Sequence, residues 1–216
     1  MYDDDGYKWE EALDQISKDL YPGHKEQAIE EFTTERLQSF YLKHPNILTS
    51  GIQMYIEAQE LQENHPSASY VFATSAIELF LKGSLLKPVI YGLVHNESLA
   101  EIIVDTALGS TGFERYKKLL AGLFSEIAGI DINKKKNHGS NKPLLQEASE
   151  IQSIRNKIIH QGLALNNSDA TFAIGVAYGV LHGIINPMLL SIGLWMDKDG
   201  TVLERKEGRH KGLTKG

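Results

Sequence analysis

The chain of 216 residues contains no cysteine. This absence excludes disulfide bonds, thiolate nucleophiles and metal sites built on thiolates. It also fits a reducing compartment, and we therefore expect a cytoplasmic protein. The sequence has neither a phosphate-cradling glycine loop nor a His-Glu-x-x-His pattern, so nucleotide hydrolysis and zinc catalysis have little support. We expect no metal and no cofactor.

Positive charge is also scarce, since 22 lysines and arginines stand against 28 acidic residues and leave a formal net charge of -6. A protein that clamps long stretches of duplex usually carries a strong positive excess, so general DNA packaging is disfavoured. A small site that cleaves RNA needs only a few local cations and is not excluded by the charge.

Membrane signals are weak. The acidic N-terminal stretch lacks the cations and apolar run of a signal peptide. Residues 170–196 contain no Asp, Glu, Lys or Arg and are long enough to span a bilayer. Tyr178, His182, Asn186 and several glycines dilute this segment. We interpret it as a core helix that kinks at Pro187, and we expect no membrane contact.

Helical periodicity dominates the chain, with breakers such as Pro22-Gly23 and His44-Pro45 between segments. We predict helices over about residues 7–20, 24–42, 47–64, 67–86, 97–108, 112–128, 144–160 and 168–187. The fourth should stop before Pro88. The predicted fold is therefore all-α, an antiparallel up-and-down helical bundle.

We divide the chain into three parts. Residues 1–45 form an N-terminal helical extension, residues 46–193 form the bundle, and residues 194–216 contain a small C-terminal β-hairpin and a disordered basic tail. The hairpin turn is Asp197-Lys198-Asp199-Gly200, which also faintly resembles a calcium loop but lacks the remaining ligand spacing.

The helix over residues 144–160 carries an unusual cation. Positions 144, 148, 151, 155 and 158 share one stripe of the helix, and all except Arg155 are apolar. A guanidinium at the edge of a core needs a partner or a ligand, and an ion pair with Glu78 is the simpler alternative. His160 lies five positions on, about 140° around the helix. Either the two side chains converge at the helix end, or a second copy of the chain completes the site.

The segment Arg155-Asn156-Lys157-Ile158-Ile159-His160 resembles the HEPN-family ribonuclease motif. In that family an Arg is followed after four to six residues by a His, often with a polar residue directly after the Arg. Residues 73–82 also resemble the family's partner helix, which often bears an acidic residue, here Glu78. The resemblance covers about residues 66–190.

The resemblance implies a four- or five-helix bundle that forms a homodimer and brings two motifs into one cleft. Many members are metal-independent endoribonucleases of toxin–antitoxin, abortive-infection and CRISPR systems. Other members have lost catalysis and serve as interaction modules. We therefore expect a defence-type endoribonuclease that binds RNA. The alternative is a non-catalytic HEPN-like dimerisation or adaptor module that docks a partner protein, such as an antitoxin.

RNA supplies its own nucleophile, the 2′-hydroxyl, so the protein needs only to move protons and stabilise charge on the phosphate. Histidine titrates near neutrality and arginine binds phosphate with a planar fork. We assign His160 to proton transfer, Arg155 to the scissile phosphate, and Asn156 to the phosphate or to the support of His160. Glu78 either orients Arg155 or His160, or forms a helical ion pair with Lys82 four residues on.

Three further features have competing interpretations. The lysines before the motif helix either guide RNA to the cleft or form a solvated loop: Lys134, Lys135, Lys136 and Lys142. Gly175, Gly179 and Gly183 form a smooth ridge for close packing, within the bundle or across a dimer. His182, on the same helix, is interpreted as a core histidine.

Overall fold

The computed structural model describes residues 24–93, 131–137 and 139–205, together with residues 125 and 129. The helices predicted over 7–20 and 97–108 and the predicted disordered tail lie outside the described residues. The helix over 112–128 does too, except for Ser125, which is helical. Most described residues belong to one compact unit, residues 34–216, which holds the described core.

Helices make up most of the described structure. The α-helices are α1 (His24–Lys43), α2 (Thr49–Leu61), α3 (Pro66–Glu78), α4 (Lys87–Leu93), α5 (Leu144–Gln161), α6 (Asn167–Val180) and α7 (Asn186–Ser191). A first π segment (Leu79–Leu86) joins α3 to α4, and a second π segment (Leu181–Ile185) joins α6 to α7. The only strands in the described part are β1 (Leu194–Met196) and β2 (Val202–Glu204). The predicted all-α helical bundle with a small C-terminal hairpin is confirmed.

Local sequence signals set several helix ends. Pro66 occupies the first turn of α3, where its missing N–H needs no partner. The motif helix α5 ends at Gln161. Gly162 follows with a left-handed backbone (φ 66°), which stops the helix, and its N–H bonds the Ile158 carbonyl. At the start of α6, the side chains of Asn166 and Asp169 form a reciprocal capping box.

The prediction that the fourth helix stops before Pro88 is wrong. Helical backbone continues from α3 through the first π segment and α4 to Leu93. The Lys87 N–H donates to the Lys82 carbonyl five residues back, so the turn is already widened where the proline enters. Pro88 sits in the first turn of α4, where a missing N–H is tolerated. A second π segment precedes Pro187 in the same way, at the site where the sequence predicted a kink.

The core lies around α3, which packs against α2, α5 and α6. Its largest fully buried side chains include Tyr70 and Phe80, together with Leu37 and Tyr41 of α1. The Asn167–Ser191 stretch is long and apolar enough to cross a membrane, but 61% of its apolar 18-residue segment is buried inside the protein. That burial is typical of the core helix of a soluble protein.

The two strands pair antiparallel, with Leu194 opposite Glu204 and Met196 opposite Val202. In the turn, the Asp197 carboxylate accepts hydrogen bonds from the backbone N–H groups of Asp199 and Thr201. The fourth turn residue, Gly200, has a φ of 83°, which a residue with a side chain rarely adopts. The Asp197 carboxylate thus caps the turn, which agrees with the hairpin interpretation of this segment.

Candidate functional site

Arg155 lies at the edge of the core, as the apolar stripe of α5 predicts. Leu144, Ala148 and Ile151 are buried, whereas Arg155 and Ile158 are half-buried. The stripe faces α3, which carries Glu78 at its last position. The packing of α5 against α3 therefore fixes the point at which the Arg155 side chain leaves the helix.

The guanidinium of Arg155 is incompletely satisfied. Its Nη1 donates a hydrogen bond to the Asn156 side-chain oxygen at 3.2 Å. Its Nε is buried and has no hydrogen-bond partner. Within the described part of the chain, Arg155 forms no ion pair. A buried donor without an acceptor costs about 1–3 kcal/mol. The guanidinium also lacks an ion pair among the described residues, so its charge is available to an anion.

Glu78 approaches the same helix one turn earlier. Its Oε1 accepts a hydrogen bond from Gln152 Nε2 at 3.0 Å, and Gln152 lies three residues before Arg155. Among the residues with described side chains, neither Arg155 nor Lys82 pairs with Glu78. Glu78 therefore contacts the motif helix, but through Gln152 and not through Arg155 or His160.

His160 is exposed in the last turn of α5. The helix continues to Gln161, so the angle of about 140° between Arg155 and His160 is retained. In the described structure no hydrogen bond joins His160 to Arg155 or to Asn156, whose oxygen is bonded to Arg155. One copy of the chain brings Arg155 and Asn156 together and leaves His160 on a different face.

The lysine loop is partly neutralised. Lys134 pairs with Asp131 at 2.9 Å and lowers the pKa of that carboxyl through its hydrogen bond. Lys142 bonds both oxygens of Glu150, at 2.9 and 2.8 Å, and likewise lowers the Glu150 pKa. The two remaining lysines of the loop, Lys135 and Lys136, are exposed, and neither forms an ion pair in the part of the chain described.

The glycine ridge of α6 is covered by its own chain. Asn137 Nδ2 donates to the Gly175 carbonyl at 2.8 Å, which ties the lysine loop to this helix. A Cβ added at Gly179 would lie 2.9 Å from both Asn137 Oδ1 and Leu144 Cδ1. The glycines of the ridge therefore allow the lysine loop and the start of α5 to approach closely, all within a single chain.

The interpretation of His182 as a core histidine is wrong. Both His182 and Tyr178 are exposed, and their ring centroids lie 4.3 Å apart on the outer side of the second π segment and α6. Partial burial lowers the pKa of His182. His182 therefore lies on the side of the helix that faces away from the core. The sequence did not reveal this, because the surrounding segment contains no charged residue.

Sequence reasoning missed Glu147, whose side chain is only 2% exposed. Ser140 Oγ donates a short hydrogen bond to its Oε1, whereas its Oε2 is buried without a partner. Spacing could have revealed it, because Glu147 lies three residues after Leu144 and four before Ile151 on the buried face. An acidic residue in a first helical turn is more often exposed, and that expectation hid it.

No protein family, curated protein or solved structure gives a significant match to this chain. The resemblance to the HEPN family therefore stays a prediction from the motif and the partner helix.

Proposed function

We propose that the protein is a metal-independent endoribonuclease of the HEPN type, acting in the cytoplasm within a defence or toxin–antitoxin system. The observation that carries the proposal is the guanidinium of Arg155. It is held at the edge of the core with a buried, unpartnered Nε and no ion pair among the described residues. A phosphate would pair with the charge of this guanidinium, whose planar fork matches two phosphate oxygens.

In the proposed reaction the 2′-hydroxyl of RNA attacks the adjacent phosphorus. Arg155 binds the non-bridging oxygens and stabilises the charge that develops on them. Asn156, hydrogen-bonded to Arg155, holds the guanidinium and offers its amide N–H groups to the phosphate. His160 transfers the proton at the 2′-hydroxyl or at the leaving oxygen. The 5′-oxygen leaves, and the products are a 2′,3′-cyclic phosphate and a 5′-hydroxyl end.

The proposed active site is shared between two copies of the chain. His160 lies on a different face of α5 from Arg155, so one copy alone does not present both groups to one phosphate. Two exposed apolar residues lie near His160 in the sequence: Ile159 is 50% exposed and Leu163 is 40% exposed. Contiguous exposed apolar patches mark contact surfaces, and we propose that these two residues belong to one. A homodimer through this end of α5 would cover them.

Lys135 and Lys136 are the cations that we propose for RNA contact outside the cleft. They are exposed and unpaired within the described residues, whereas Lys134 and Lys142 are engaged with carboxylates. Their charge would contribute to the affinity for RNA in a way that depends on salt concentration and not on RNA sequence.

A non-catalytic docking module is the second candidate. The exposed Ile159 and Leu163 favour it equally, because an antitoxin or another partner protein could cover the same apolar surface. The two candidates differ in whether Arg155 and His160 perform chemistry.

The test is cleavage of total RNA by the purified chain in EDTA. We expect cleavage by the wild type and a loss of at least about a hundredfold in Arg155→Ala and His160→Ala, because each removes an interaction with the reacting groups. The ends of the fragments should be 2′,3′-cyclic phosphate and 5′-hydroxyl.

Matched controls are Arg205→Ala and His182→Ala, which remove exposed residues of the same types elsewhere. Both should cleave like the wild type. Loss of cleavage in EDTA, or full activity of His160→Ala, contradicts the proposal. Inactivity of every sample, together with expression toxicity that does not depend on His160, favours the docking module.

A further inference from the structure

A second candidate site lies away from the motif, in a cavity of about 400 Å³ between the end of α1 and the start of α4. Its lining includes Phe40 and Lys43 of α1, His44 and Ile47 of the connection to α2, and Lys87 of α4. This volume is within the range of small-molecule sites, roughly 300–1,000 Å³.

The cavity wall is held by three separate elements. The Ile47 carbonyl accepts a hydrogen bond from Ser84 Oγ at 3.2 Å, in the first π segment. The Pro45 carbonyl accepts from the Val202 N–H at 2.8 Å, in β2. The His44 N–H donates to the Phe40 carbonyl at 3.0 Å. The connection is therefore held in place from both sides.

The cavity is cationic in a chain whose net charge is -6. Lys43 and Lys87 line it with His44, and the described lining includes no acidic residue. Neither lysine forms an ion pair in the described part of the protein. Two ammonium groups and an imidazole around one cavity favour a ligand with a multiply charged anionic group, such as a phosphate.

An aromatic surface adjoins these cations. The Phe40 ring lies 4.6 Å from the His44 ring and 5.0 Å from the Tyr91 ring, centroid to centroid, in tilted pairs. The contacts fix the orientation of the Phe40 ring, which remains half-buried at the cavity. A planar ring packs well against such a surface.

The cavity is separate from the proposed ribonuclease site. Glu78, which contacts the motif helix through Gln152, and Lys87 stand nine residues apart on one continuous helical stretch. At 1.5 Å per residue, the two positions are roughly 13 Å apart along the axis. Arg155 lies one turn beyond Gln152.

We propose that this cavity binds a small ligand in which a planar ring is joined to a phosphate group. Lys43, Lys87 and His44 hold the phosphate, and Phe40 packs against the ring. The site is independent of RNA cleavage, so it can be tested by binding alone.

The probe is 1-naphthyl phosphate, titrated calorimetrically into the full chain beside 1-naphthol and inorganic phosphate. We expect 1-naphthyl phosphate to bind more tightly than either part alone. The double variant Lys43→Ala/Lys87→Ala should weaken its binding by at least about tenfold, because charge-assisted hydrogen bonds are lost. Lys198→Ala, at an exposed lysine of the hairpin turn, is the matched control and should bind like the wild type.

Phe40→Leu keeps an apolar side chain and should lower the affinity for 1-naphthyl phosphate while leaving that for inorganic phosphate unchanged. The comparison of the three probes on the wild type does not depend on any variant folding. The proposal is overturned if 1-naphthyl phosphate does not bind at millimolar concentration, or if inorganic phosphate binds as tightly. Equal affinity of the double variant and the wild type overturns it as well.

Discussion

Arg155 and His182 are polar side chains in largely apolar stretches of helix. Arg155 interrupts an apolar stripe and keeps a buried Nε without a partner. His182 sits in an uncharged helix yet is exposed beside Tyr178. In each case the neighbouring side chains determine a property of the polar group, namely the hydrogen bonding of Arg155 and the pKa of His182. The charge of Arg155, unpaired among the described residues, favours an anion, and the pKa of His182 is lowered.

The pKa of His182 should be measurably lower in the folded protein than in urea. Partial burial of the ring, which packs beside Tyr178, lowers the pKa from the ordinary value of 6.5. As the pH falls through this range the unfolded chain therefore binds more protons, and the folded state loses stability. An NMR titration of His182 checks the shift, and Tyr178→Ala should move the pKa back upward by exposing the ring. A pKa equal in the folded and unfolded chains would contradict the prediction.

At the scale of elements, the π segments let two long helices pass a proline without ending. The first separates α3 from α4 just before Pro88, and the second separates α6 from α7 just before Pro187. Each widens the turn by one residue, so the carbonyls near the proline find other donors. The first π segment also bonds the connection that lines the cationic cavity, through Ser84.

The glycine ridge, which runs from α6 into the second π segment, gives an element-scale prediction with its own control. Gly179→Ala should lower the free energy of unfolding by about 1–3 kcal/mol, because the new Cβ would crowd the buried Leu144 and the anchored Asn137. In Gly183→Ala, on the next turn, the nearest atom to the Cβ is Leu144 Cδ2 at 3.8 Å. This variant should lose nothing and can gain up to about 1 kcal/mol of helix propensity. Urea denaturation measures both, and equal stabilities would show that the ridge is not closely packed.

At the scale of the whole molecule, the proposed ribonuclease site is incomplete in one chain. Arg155 and Asn156 stand together, His160 faces elsewhere, and exposed Ile159 and Leu163 lie beside it. A two-fold dimer through this surface would place each motif against its copy. The described residues that line the cationic cavity, by contrast, all come from one chain.

Mixing two inactive variants tests the shared site. If Arg155 of one copy acts with His160 of the other, Arg155→Ala mixed with His160→Ala should recover about a quarter of the wild-type cleavage, since half of the random dimers hold one intact pair. Light scattering at micromolar concentration should show a dimer. A monomer, or no recovery while wild-type chains cleave, would place both groups of the active site in a single chain.

Sequence patterns located most of the described fold but not every contact. The stripe on α5, its end before Gly162 and the hairpin turn follow from local rules of periodicity and backbone conformation. The partner of Glu78 did not follow from them, because Gln152 lies 74 residues away. The passage through Pro88 was missed because single-residue rules treat proline as a helix end and take no account of a π turn before it.

The sequence by itself determined the helical class, the position of Arg155 at the edge of a core stripe and the angle that separates it from His160. These follow from intervals along one helix, which a linear pattern contains. Only the tertiary structure decided that Glu78 contacts Gln152, that Asn137 and Leu144 cover the glycine ridge, and that Lys43 and Lys87 line one cavity. Such contacts join residues far apart in the chain, and the packing of the whole core selects them.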